Sequence, residues 1–144
     1  MRSSQILSSY FYALLLPCPF LPDTSHKNVR VGAEVLGDLL EHAEELLRSK
    51  FYLAAAIVMR AILEERLRKL CGCNACQPTV NRPTIEHFKQ SLYAANVIDK
   101  IVAKDIDWMA SIGNAAAHQL PEYNDADVPQ LYTRLTAFLT RFST

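Results

Sequence analysis

Apolar residues return every three or four positions in one segment after another from about residue 28 onward, and a chain patterned in that way buries its stripes by packing helix on helix. Between about Asn28 and Ser49 the stripe is Val31, Val35, Leu36, Leu39, Leu40, Ala43, Leu46 and Leu47, with Glu and Arg on the other side. A second segment, about Phe51 to Cys71, is apolar nearly all round in its first half, from Leu53 through Val58. Its charges, Glu65, Arg66, Arg68 and Lys69, gather towards its end. That pattern predicts a helix in the middle of a bundle, stopped by Gly72. A third helix is expected from about Thr84, a good N-cap, to Asn96. A fourth, about Asp99 to Gln119, should bury Val102, Ile106, Met109, Ile112, Ala116 and Leu120. The last starts at Asp125 or Asp127, tolerates Pro129 in its first turn and buries Val128, Leu131, Leu135, Phe138, Leu139 and Phe142. With only four glycines and little alternation of β-branched residues, a sheet is disfavoured. The expected fold is all-α, an up-and-down bundle of four to five helices over residues 26–144.

Residues 1–25 read differently, as an apolar arm and a linker. The run Ile6 to Leu21 follows Arg2 and so raises the question of a signal peptide. Ser8 and Ser9, then Pro17, Pro19 and Pro22, break it, and no Ala-x-Ala site follows. It is also too short and too proline-rich to span a bilayer. The expectation is an arm, Tyr10 to Leu21, that covers a hydrophobic groove on its own bundle or on a partner subunit, with a turn at Pro22–Ser25. Of the four cysteines, three (Cys71, Cys73 and Cys76) crowd into six residues, which suits reduced thiols in the cytoplasm better than a disulfide framework.

Charge narrows the function classes. Fifteen Lys/Arg balance fifteen Asp/Glu, and the signs are mixed along the chain, so the basic stripe of a DNA groove binder is missing. There is no Gly-rich phosphate loop, no Gly-x-Ser-x-Gly and no His-Glu-x-x-His. No cofactor is implied.

Three constellations remain. Asn114 and His118 stand four apart on the fourth helix and so project to one side, separated by three alanines. An imidazole beside an amide can shuttle protons or hold a phosphate; equally, a histidine there can simply cap its own helix. Gly113, in mid-helix, costs close to 1 kcal/mol relative to Ala and implies that a backbone or a ligand comes near. On the second helix, Arg60 and Glu64 lie between Leu53, Ile57 and Leu67, half-buried, where a charge needs a partner. They form either a polar patch facing the Asn114 and His118 tips or a self-satisfying pair that fixes helix register. Lastly, Cys71, Cys73 and Cys76 could hold zinc only if Cys18 or His87 supplied a fourth ligand; ordinary loop thiols are the alternative.

Taken in order, Tyr52-Leu53-Ala54-Ala55-Ala56-Ile57-Val58-Met59-Arg60-Ala61-Ile62-Leu63-Glu64 and then Ile112-Gly113-Asn114-Ala115-Ala116-Ala117-His118 resemble the HEPN superfamily of helical domains. The likeness covers roughly residues 26–142 and points to an uncharacterised bacterial type that is also found attached to restriction and other defence proteins. The resemblance implies a helical bundle that commonly dimerises. It also implies, for active members, a metal-independent endoribonuclease in which an Arg steadies the scissile phosphate and a nearby His transfers the proton. Asn114 matches that motif's polar position and His118 its histidine, but its arginine position is Gly113. The place one turn upstream is Ala110, and no Arg occurs between Pro83 and Thr133. Losing a preorganised donor to a developing oxyanion costs about 100- to 1000-fold in rate. The expectation is therefore a non-catalytic HEPN-like module for dimerisation or for binding a protein partner, a nucleotide or RNA. Its binding residues would be Arg60, Glu64, Asn114 and His118. The alternatives are an RNase using His118, with Arg60 or a partner chain's Arg134 or Arg141 as the cation, and a purely structural subunit.

Overall fold

The computed structural model describes residues 24–143, with side chains from residue 35 onward; the arm expected over residues 1–23 lies outside it. Five helices make an all-α bundle, with no strand among the described residues: α1 Thr24–Arg48, α2 Tyr52–Cys73, α3 Ile85–Ala94, α4 Lys100–Ala117 and α5 Val128–Arg141. A single 3-10 turn, Asp125–Asp127, leads into α5. Helix α2 packs against each of the other four. Its Met59, Ile62, Leu63 and Leu67 meet Phe88 and Leu92 of α3, Ile106 and Met109 of α4, and Val128, Leu131 and Leu135 of α5 in one fully buried core.

The central position of α2 is as its composition implies, but it is not wrapped along its whole length. Phe51, Leu53 and Ile57 stay exposed at its N-terminal end, where no helix among the described residues covers that face. Helix α1 begins at Thr24, inside the stretch expected to be a turn, because Thr and Ser lower helix propensity without forbidding a first turn. Leu120, expected in the core, is exposed because α4 stops at Ala117. Leu139 and Phe142 are only partly buried on the edge of the α5 stripe.

Gly72 does not end α2; the helix runs through it to Cys73. The reversal comes three residues later, at Ala75 (φ 52°), and the Asn74 side chain donates to the Leu70 carbonyl at 2.8 Å, beside the Asn74 N–H that the same carbonyl accepts at 3.1 Å. The same device closes α1, α3 and α4. Lys50, Asn96 and Gln119 take left-handed φ, and in each case the following N–H reaches back five residues: Phe51 to Leu46 at 2.9 Å, Val97 to Leu92 at 3.0 Å and Leu120 to Ala115 at 2.9 Å. These are Schellman ends built without glycine.

Candidate functional site

Helix α4 is positioned from both ends. Asp99 caps it, its carboxylate accepting from Val102 N–H at 2.8 Å. His118 is its C-cap, with its own N–H on the Asn114 carbonyl at 3.0 Å. Between them the small residues Ala110, Gly113, Ala115 and Ala116 are buried and let α4 approach α2 closely. Gly113 marks the point of closest approach. A Cβ built there would stand 2.6 Å from Cβ of Arg60, 2.9 Å from its Cγ and 3.2 Å from its Cδ. The partner that the mid-helix glycine implies is thus the stem of Arg60.

Having crossed Gly113, the Arg60 side chain donates through Nε to Oδ1 of Asn114 at 2.6 Å. Its Nη1 lies 3.6 Å from Oε2 of Glu64, both side chains being about a quarter to a third exposed (31% and 25%). Glu64 in turn accepts from Nη2 of Arg68 at 3.2 Å. Arg68 also bonds Glu65 and lies 5.5 Å over the Phe88 ring. The result is a line of alternating charge along α2, its first member, Arg60, tied to α4. Burial raises the Glu65 carboxyl above its ordinary range, against the pull of Arg68.

Arg60 and Asn114 open onto a cleft of about 500 Å³. Asp107, Ser111 and His118 of α4 and Glu86 at the start of α3 line it with them. The His118 ring is exposed, with no hydrogen bond to it among the described residues. The two acids are partly neutralised by Lys89, which bonds Glu86 at 2.6 Å and also Asp107; its hydrogen bond holds the Glu86 carboxyl below the ordinary carboxylate range. The structure therefore gathers Arg60, Glu64 and Asn114 into one bonded set and puts His118 on the wall of the same cleft. Sequence reasoning passed over Ser111, Glu86, Asp107 and Lys89. Ser111, three residues before Asn114, was the one that helical spacing could have found.

Arg134 and Arg141, weighed as positive charges lent to a partner chain, are engaged at home. Arg134 bonds Asp105 and stacks 4.3 Å over Trp108, and Arg141 pairs with Asp99 at 3.2 Å. The cysteines do not make a metal centre, and Cys73, expected as a reduced thiol, is disulfide-bonded. Cys71 and Cys73 belong to the last turn of α2 and, two residues apart, face different ways. Cys71 is buried and points its thiol at the Phe88 carbonyl, 3.5 Å away. His87, the proposed fourth ligand, accepts the Thr84 N–H at 3.1 Å on Nδ1 in the capping box of α3. Among the described residues no three His, Cys, Asp or Glu side chains converge on a metal position.

A family model for a domain of unknown function, DUF4145, matches residues 41–143. The chain belongs to the DUF4145 family. No curated protein and no solved structure matches it. Within the DUF4145 span lie all of Arg60, Glu64, Glu86, Asp107, Asn114 and His118, so the whole cleft is a property of the domain. No helix among the described residues of this DUF4145 chain is long and apolar enough to cross a membrane.

Proposed function

We propose that this DUF4145 domain is a non-catalytic, HEPN-like module that binds the phosphate of a nucleotide or of an RNA end in the cleft between α2 and α4, and that it works as a homodimer in a bacterial defence setting. One observation carries the reading: Arg60, from a different helix, crosses Gly113 and bonds Asn114, which puts a guanidinium on the cleft where the HEPN-type motif would carry an arginine of its own. Nη2 of Arg60 has no partner among the described residues, and a guanidinium edge with a nearby imidazole is a sufficient cradle for one phosphate. The dimer and the defence setting rest on the sequence resemblance alone.

Binding is favoured over catalysis by how Arg60 is held. Its Nε is committed to Asn114 and its charge is shared with Glu64, so little is left to follow charge as it develops on a transition state. Among the described residues His118 has no second group fixing its tautomer or orientation, which general acid–base catalysis needs. Glu86 and Asp107, which line the same cleft, work against a polyanion running through it, and so favour a single terminal phosphate.

The test is a thermal-shift series with mononucleotides and short 5′- or 3′-phosphorylated RNAs, beside an RNA cleavage assay in EDTA. A ligand at about 100 times Kd stabilises the native state by about 2.7 kcal/mol, so a shift that His118→Ala and Asn114→Ala both reduce is expected, with no cleavage. No shift with any phosphate ligand removes the proposal. The same placement of Arg60 favours one other reading, a metal-independent RNase. Cleavage that disappears in His118→Ala would establish that enzyme instead.

A further inference from the structure

A Schellman end brings two particular side chains together: the residue whose N–H makes the long return bond and the residue whose carbonyl receives it. In α1, α3 and α4 these pairs are Phe51 with Leu46, Val97 with Leu92, and Leu120 with Ala115, ordinary apolar contacts. In α2 the pair is Cys76 with Cys71, joined through Cys76 N–H to the Cys71 carbonyl at 3.0 Å. Ala75 N–H completes the motif on the Gly72 carbonyl at 3.3 Å. We propose that Cys71 and Cys76 are a redox modification site, closing to a disulfide across the C-terminal turn of α2 when a low-molecular-weight disulfide such as oxidised glutathione is present.

The geometry sets the partners. The motif fixes the two backbones at the separation a disulfide tolerates, with Cα atoms roughly 4.4–6.8 Å apart, and turns both side chains to the same side. Both thiols are free, Cys71 fully buried and Cys76 half-buried against the core. The Cys76 thiol lies close enough to Cys71 to help raise its pKa. Cys73, two positions from Cys71 on the same helical turn, is itself disulfide-bonded and so outside this pairing.

The order of events follows from accessibility. Burial, with Cys76 beside it, pushes the Cys71 thiol up to about 12, so it is a poor first nucleophile. The Cys76 thiolate attacks one sulfur of glutathione disulfide, expelling one glutathione thiolate and leaving a mixed disulfide. The departing thiolate takes the Cys71 proton, and Cys71 sulfur then attacks Cys76 sulfur and expels the second glutathione. Two protein thiols are oxidised and one disulfide is reduced to two thiols. In the closed form Cys71 no longer has a proton to donate to the Phe88 carbonyl, so one tie between α2 and α3 is exchanged for one within α2.

The experiment treats the full chain under native conditions with excess oxidised glutathione, alkylates what remains free and maps the tryptic peptide 70–89, which stays whole because Pro83 blocks cleavage after Arg82. The expected product joins Cys71 to Cys76; in Cys73→Ser, where peptide 70–89 carries no other disulfide, it is two hydrogens lighter than the reduced peptide. Cys71→Ser should instead accumulate glutathione on Cys76, while Cys76→Ser should leave Cys71 unmodified. Alkylation of both Cys71 and Cys76 after oxidation, or Cys73 joined to either of them, overturns the proposal.

Discussion

Two of the seams that hold α4 in place are closed by different physics. On the α2 side the backbones come together at Gly113, and a single arginine, Arg60, is fixed by shape before its charge is considered. On the α5 side, beyond the shared apolar core, the polar contacts are made by charge. Arg134 spans to Asp105 and the Trp108 face, and Arg141 spans to Asp99, both at sites more than a third exposed. A cation that is already paired and stacked has little left to offer a ligand. One that is locked by packing, with an edge turned to a cleft, does. The comparison explains why the candidate site sits on the α2 seam although the α5 seam carries more arginines.

The largest expected effect tests the shape argument. In a helix with open space Gly113→Ala would gain close to 1 kcal/mol from propensity alone. Here the new methyl would meet Cβ of Arg60, an atom that no rotamer change can move, so the substitution should destabilise by about 2 kcal/mol, within the usual cost of overpacking. Because the clash is with Cβ, Arg60→Ala should not rescue it. Urea unfolding of the single and double variants decides. A stabilised Gly113→Ala, or a double variant restored to wild type, would mean that α2 and α4 are not in this contact.

The α5 seam should respond more weakly. Arg134→Ala removes an ion pair and a cation–π contact at a half-exposed site, together about 1 kcal/mol. The loss should shrink with added salt, since the ion-pair part is screened. Arg141→Ala, with both partners more than half exposed, should cost less. Thermal melts at low and high salt give the ranking; Arg141→Ala costing more than Arg134→Ala would break it.

Next in size is the coupling inside the α2 seam. A double-mutant cycle of Arg60→Ala and Asn114→Ala should return about 1 kcal/mol, the size of one hydrogen bond from a charged donor at a site that water still reaches. Additive variants would mean that Arg60 is held by Glu64 alone, and the tie between the helices would lie in packing.

How much of this was legible in the sequence differs between fold and site. The five helices were, because stripes such as Val128, Leu131, Leu135 and Phe138 repeat with the helical period and nothing else buries them. Helix ends were not. Glycine is the sequence signal for a left-handed C-terminus, and the described helices use Lys50, Ala75, Asn96 and Gln119 instead, so Gly72 was a false stop. The exposure of Leu53 and Ile57 was hidden as well, since an all-apolar segment says nothing about which face its neighbours leave open. At the site, Gly113 announced a close approach but not its partner. Spacing within one helix relates Asn114 to His118, whereas the meeting of Arg60 with Asn114, 54 positions apart, is a fact of packing. His118 shares the cleft but, as the C-cap, does not extend the bonded set.

The smallest effect concerns the charge at the start of α4. The Asp99 carboxyl is held below the ordinary aspartate range, first by the Val102 N–H and then by Arg141. A depressed folded-state pKa means that the unfolded chain takes up the proton first. The stabilisation is therefore fully present above the ordinary aspartate value and is lost as pH falls through the lower, folded one. Asp99→Asn keeps a competent N-cap but removes the charge. Wild type should thus melt slightly above the variant at neutral pH, and the two melting curves should converge on acidification through the aspartate range. A gap that is constant with pH would assign the difference to the shape of the cap rather than its charge, and the α5 seam would then lose its last electrostatic contact at the head of α4.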